Sequence, residues 1–67
     1  MMREDVAVCR VEKVMWGDFH LEQARKAAET IGVYAKLGQV APAHYFYHFT
    51  ASMLDAAWHY RAAGLAL

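Results

Sequence analysis

Apolar residues between Phe19 and Leu37 return at three- and four-residue steps: Leu21, Ala24, Ala27, Ala28, Ile31, Tyr34 and Ala35. That period puts them on one face of an α-helix, with Glu22, Arg25, Lys26, Glu29 and Lys36 on the other side. Glu22–Lys26 and Arg25–Glu29 have the i,i+4 spacing that lets opposite charges meet along a helix. Gly32 interrupts the pattern without ending it, so residues 19–37 read as one helix. Gly38 follows a lysine-bearing last turn, and Pro42 suits the first turn of a new element. The pattern then runs unbroken over residues 42–64, with Tyr45, Phe46, Phe49, Met53 and Tyr60 sharing a broad face with Ala56 and Ala57. A connection this short predicts an antiparallel helical hairpin. Its alanine-rich face accepts the aromatic side chains of the other helix.

Residues 3–16 are ambiguous. As a helix they place Ala7, Val8, Val11, Val14 and Met15 on one stripe, with Glu4 and Asp5 in the first turn, where acids are favoured. As a strand they alternate poorly, although four valines favour extended structure. Gly17-Asp18 reads as punctuation, a glycine closing one helix and an aspartate capping the next. Trp16 and Phe19 are expected to pack across that turn. The expected fold is therefore all-α, a small hairpin with an additional N-terminal helix. The alternative is an N-terminal β-strand followed by two helices.

Composition adds a reason to expect a dimer. Sixty-seven residues form a single small domain, which buries only about 60% of its unfolded surface. Yet 58% of the residues are hydrophobic, above the roughly 45–50% of an ordinary soluble domain. Cys9 is the one cysteine, so no intrachain disulfide can staple the fold, and a lone thiol in a valine-rich segment reads as a buried structural group in a reducing, cytoplasmic setting. No signal-peptide pattern precedes it, and the uncharged run Gly38 to Leu54 is too short and polar to span a bilayer. Tyr47, Leu54, Trp58 and Leu65 fall on a flank of the last helix that its partner in the hairpin does not cover. Either the N-terminal segment or a second copy of the chain must cover that flank. The second copy is favoured, which makes these four residues the candidate partner and oligomer interface.

Chemistry is harder to find. His44, His48, Asp55 and His59 lie within an arc of about 60° on a helix, as two i,i+4 pairs about 10 Å apart along the axis. One chain cannot bring all four to a single ion, but an antiparallel dimer could oppose the pairs and hold zinc or a similar divalent metal. A solvated stripe with no cofactor explains the same residues more simply. No phosphate loop, nucleophile elbow or carboxylate dyad is present, so the chain reads as non-enzymatic.

With a strand at its start, the chain is similar in outline to ribbon-helix-helix DNA-binding dimers, through the helix Leu21-Glu22-Gln23-Ala24-Arg25-Lys26-Ala27-Ala28-Glu29. Seven basic and seven acidic residues give zero net charge, which opposes phosphate binding and makes nucleic acid an unlikely partner. The sequence thus predicts a homodimeric protein-binding or regulatory module that engages an unidentified partner protein through its aromatic helix. The metal-binding dimer and the DNA-binding dimer are the alternatives.

Overall fold

Two helices make up the described chain: α1, Met2–Lys36, and α2, Ala43–Ala62. The computed structural model describes the backbone of residues 2–65 and the side chains of residues 9–65. The expected placements of Glu4, Asp5, Ala7 and Val8 side chains lie outside the described residues. At 1.5 Å per residue, the helices run about 52 and 30 Å, and the molecule measures 56 × 17 × 13 Å. It is an all-α hairpin with one arm much longer than the other.

Both helix ends follow from their glycines. Gly38 takes a positive φ of 71°, and the amides of Gly38 and Gln39 turn back to the carbonyls of Ala35 and Tyr34 at 3.0 and 2.9 Å. Gly64, with φ 83°, closes α2 in the same way, its amide and that of Leu65 reaching Arg61 and Tyr60. This paired 5→2 and 6→1 closure needs the left-handed position that glycine adopts without steric cost. Pro42 precedes α2 in an extended conformation, and its carbonyl accepts the amide of Tyr45.

The expected break at Gly17-Asp18 does not form. α1 passes straight through it, so there is no separate N-terminal helix, and no strand occurs among the described residues. The ribbon-helix-helix outline accordingly lacks its strand. Gly17 serves packing instead of termination: it is buried, and a Cβ there would lie 2.7–2.8 Å from ring carbons of Tyr60. A helix can carry a glycine when its missing side chain makes room for a neighbour, despite a propensity cost of up to about 1 kcal/mol.

The seam between the helices is built from small residues: Ala24, Ala27, Ser52, Ala56 and Ala63 are buried, with Tyr60 the one large buried side chain among the described residues. Tyr45, Phe49 and Ala57 are half-buried, while Phe46 and Met53, expected in the core, are exposed. On α1, Leu21, Ala28 and Ala35 are likewise exposed. Two helices share one narrow line of contact, and a broad apolar face cannot fit into it. The N-terminal segment, the alternative cover for the outer flank of α2, continues along α1 and does not fold back over it.

Across the seam, Tyr60 donates its hydroxyl hydrogen bond to Asp18 Oδ1. Arg10 Nε donates to the Ala63 carbonyl at 3.0 Å, placing a cation at the C-terminal end of α2 where the helix dipole favours it. On the exposed side, Arg25 bonds both Glu22 and Glu29, at 2.6 and 3.0 Å, in place of the expected Glu22–Lys26 pair. The hydrogen bond from Arg25 holds Glu22 below the usual carboxylate range.

Candidate functional site

Tyr47, Leu54 and Trp58, three of the four residues read as an interface, lie on the outer side of α2, whereas Leu65 falls beyond the helix, which ends at Ala62 and is closed by Gly64. Tyr47 is 75% exposed, Leu54 66%, Trp58 65% and Leu65 48%. Nothing within the described chain covers them, because α1 lies against the opposite side of α2. Large apolar side chains this exposed are unusual when they line up along one helix face.

The histidine stripe divides. His44, His48 and Asp55 are exposed, with the His44 ring 4.2 Å from that of Tyr45. His59 instead turns toward α1 and stacks on His20, ring centroids 5.3 Å apart and planes within 9°. Asp55 Oδ2 lies 3.9 Å from His20 Nδ1. Among the described residues, no three His, Cys, Asp or Glu side chains converge as a metal site. His59 Nδ1 is buried and has no hydrogen-bond partner among them.

The stacked imidazoles are the middle of a continuous aromatic belt that crosses both helices. Trp16 lies 6.5 Å from His59 and 6.4 Å from His20. Phe19 meets Trp16 edge-on at 5.7 Å and His20 at 5.3 Å. On the other side, Trp58 meets His59 edge-on at 5.0 Å. Trp16 and Phe19 at one end and Trp58 at the other are exposed, so both ends of the belt face solvent while its imidazole centre is half-buried. Beside it, Glu12, Met15, Trp16 and Phe19 line a shallow groove of about 250 Å³. A larger groove of about 470 Å³ runs between α1 and α2, lined by Leu21, Ala24, Phe49 and Met53 with Asp18, Glu22 and Arg25 at its rim.

Sequence reasoning placed Trp16 and Phe19 together but did not find His20. The signal was available in the hairpin itself. Partners lie at equal distances from a turn near residues 39 and 40, so Tyr34 meets Tyr45 and His20 meets His59. Cys9, expected to be buried, is exposed on α1, because the segment that carries it lies near the end of α2 and has little to pack against.

The hydroxyl of Tyr60 is held neutral. Its hydrogen bond to Asp18, its burial and the adjacent carboxylate charge raise its pKa to about 12. This is a structural clamp between the helices rather than a proton donor at neutral pH. No helix among the described residues is long and apolar enough to cross a membrane. Comparison with known proteins gives no relative. The chain matches no family model, no curated protein and no solved structure.

Proposed function

We propose that this chain is a protein-binding module that acts as a helical homodimer and has no chemistry of its own. The observation that carries the reading is the uncovered apolar surface. Tyr47, Leu54 and Trp58 on α2 and Val11, Met15, Trp16 and Phe19 on α1 are all exposed, and soluble monomers rarely leave large apolar patches uncovered.

Its distribution supports the same conclusion. Tyr47, Leu54 and Trp58 form one side of α2, and interface energy concentrates in aromatic anchors such as Trp58. The seam beneath is made mainly of alanine methyls, each worth only about 0.8 kcal/mol when buried. Such a hairpin gains from a second copy what its own core does not supply. Zero net charge removes the long-range repulsion that would oppose pairing of identical chains. A cytoplasmic setting fits a chain whose single thiol is exposed and unpaired.

Sedimentation equilibrium of the wild type and Trp58→Ala tests the proposal. The wild type sediments as a dimer, and the variant dissociates at concentrations where the wild type does not. Equal masses for the two proteins would remove Trp58 from the interface. Capture of host proteins by the wild-type dimer, compared with Trp58→Ala, then identifies the partner.

A further inference from the structure

We infer that the second copy docks on the aromatic belt, across both helices, and that acid releases it by charging the His20–His59 pair at the belt's centre. This rests on the homodimer reading above and specifies where the contact lies and what regulates it. The belt joins Trp58, already on the outer side of α2, to Trp16 and Phe19 on α1 through ring contacts of 5.0 to 6.5 Å. The three exposed aromatics leave roughly 250–420 Å² uncovered, if each side chain can bury 150–250 Å². That is about a third to a half of what one side of a standard interface needs, gathered at one place. Aromatic anchors clustered at a centre, surrounded by smaller contacts, are the arrangement that gives an interface its affinity.

The imidazoles beneath make that centre sensitive to protons. Stacked neutral rings pack well and carry no charge. Imidazole ordinarily gains its proton near pH 6.5, within reach of mild acid. Two imidazolium rings 5.3 Å apart repel each other. The charged and titratable groups around the pair are few. Asp55 on α2 lies 3.9 Å from His20, Glu12 on α1 borders the groove beside Trp16, and Asp18 is engaged by Tyr60. Asp55 compensates a single charge, and its side chain is 60% exposed, which weakens it.

His59 has no such partner among the described residues. Its buried Nδ1 has no acceptor among the described residues to take the hydrogen bond of a protonated ring. Docking a second copy removes water from the rings and sharpens the penalty, so the dimer binds the neutral pair in preference. Acid therefore favours the monomer, because the monomer binds the extra proton more readily than the dimer does.

Sedimentation velocity at pH 7.5 and pH 5.0, on wild type, Trp16→Ala, Phe19→Ala and His59→Gln, tests the inference, with circular dichroism confirming helix content throughout. The dimer dissociation constant of the wild type rises at least about tenfold at the lower pH, as expected for like charges forced into an interface. Trp16→Ala and Phe19→Ala raise it at pH 7.5. Phe19 makes its ring contacts within α1, so its loss leaves the hairpin seam in place. His59→Gln dimerises but loses most of the acid response. A dimer unaffected by Trp16→Ala and Phe19→Ala, yet weakened by Trp58→Ala, would overturn the belt and leave the homodimer intact. A belt-dependent dimer with equal affinity at both pH values would overturn the proton linkage. A wild-type monomer at both pH values would overturn the homodimer reading itself.

Discussion

Gly17→Ala and Gly32→Ala are the same substitution in the same helix, and the structure gives them opposite signs. At Gly32 an added Cβ meets nothing within 4 Å. The change then recovers helix propensity, about 0.5–1 kcal/mol of added stability. At Gly17 the same Cβ would sit 2.7 Å from Tyr60 Cε1 and 2.8 Å from its Cδ1. These are atoms of a buried ring that is held at its far end by Asp18. The ring cannot move without opening the seam or losing that bond. Overpacking costs about 1–3 kcal/mol, and loss of a hydrogen bond to a charged group adds about 1.5–3 kcal/mol. The propensity gain offsets a minor part, leaving Gly17→Ala destabilised by roughly 1.5–5.5 kcal/mol.

Thermal unfolding by circular dichroism, at one fixed protein concentration, reads the difference. Each kcal/mol moves the midpoint of a domain this small by about 4–8 °C. Gly32→Ala melts above the wild type, and Gly17→Ala below it. If Gly17 instead closed a helix in the left-handed conformation, alanine would also destabilise there, so a second step is needed. In a Tyr60→Ala background the clash is gone, and Gly17→Ala becomes neutral or stabilising. A penalty at Gly17 that persists without Tyr60, or a Gly17→Ala protein as stable as Gly32→Ala, would refute the packing argument.

Other outcomes follow from the clamps across the seam. Tyr60→Phe keeps the ring and removes the bond to Asp18, lowering stability by about 1.5–3 kcal/mol at neutral pH in urea titrations. The wild type's advantage over this variant is fully present below pH 10, the ordinary tyrosine value, and fades as pH rises through about 12, where Tyr60 ionises beside a carboxylate. An advantage unchanged at alkaline pH would show that Asp18 does not hold the hydroxyl. Arg10→Ala leaves the end of α2 without its side-chain donor and costs about 0.5–1.5 kcal/mol, visible as faster amide exchange around Ala63 and Gly64. Protection there equal to the wild type would mean that solvent satisfies the carbonyl equally well. Arg25→Ala, in contrast, breaks exposed surface pairs and leaves the unfolding midpoint nearly where it was.

Which parts of the fold were legible depends on whether a signal was local. Gly38 and Pro42 state the hairpin turn in the chain itself, through a left-handed glycine and a proline that starts a helix. The second helix followed from its period. Gly17-Asp18 carries equally strong local stop signals, but tertiary packing overrides them. Gly17 makes room for Tyr60, and Asp18 bonds that residue's hydroxyl. The large apolar residues of α2 suggested a core broader than one helix–helix seam can hold, and Ser52, polar by type, occupies a buried place on it. The exposed row on α2 was visible from helical spacing alone. The belt was not, because His20 and His59 are distant in sequence and meet only through the hairpin's register. A histidine counted as part of a solvated stripe thus has its ring between two helices.

Both proposals require self-association, and the most direct measurement is the sedimentation mass of the untagged wild-type chain at pH 7.5 across micromolar concentrations. The predicted result is a species of about 15 kDa, twice the 7.6 kDa chain, as two-fold pairing requires. A single 7.6 kDa species throughout that range would contradict it.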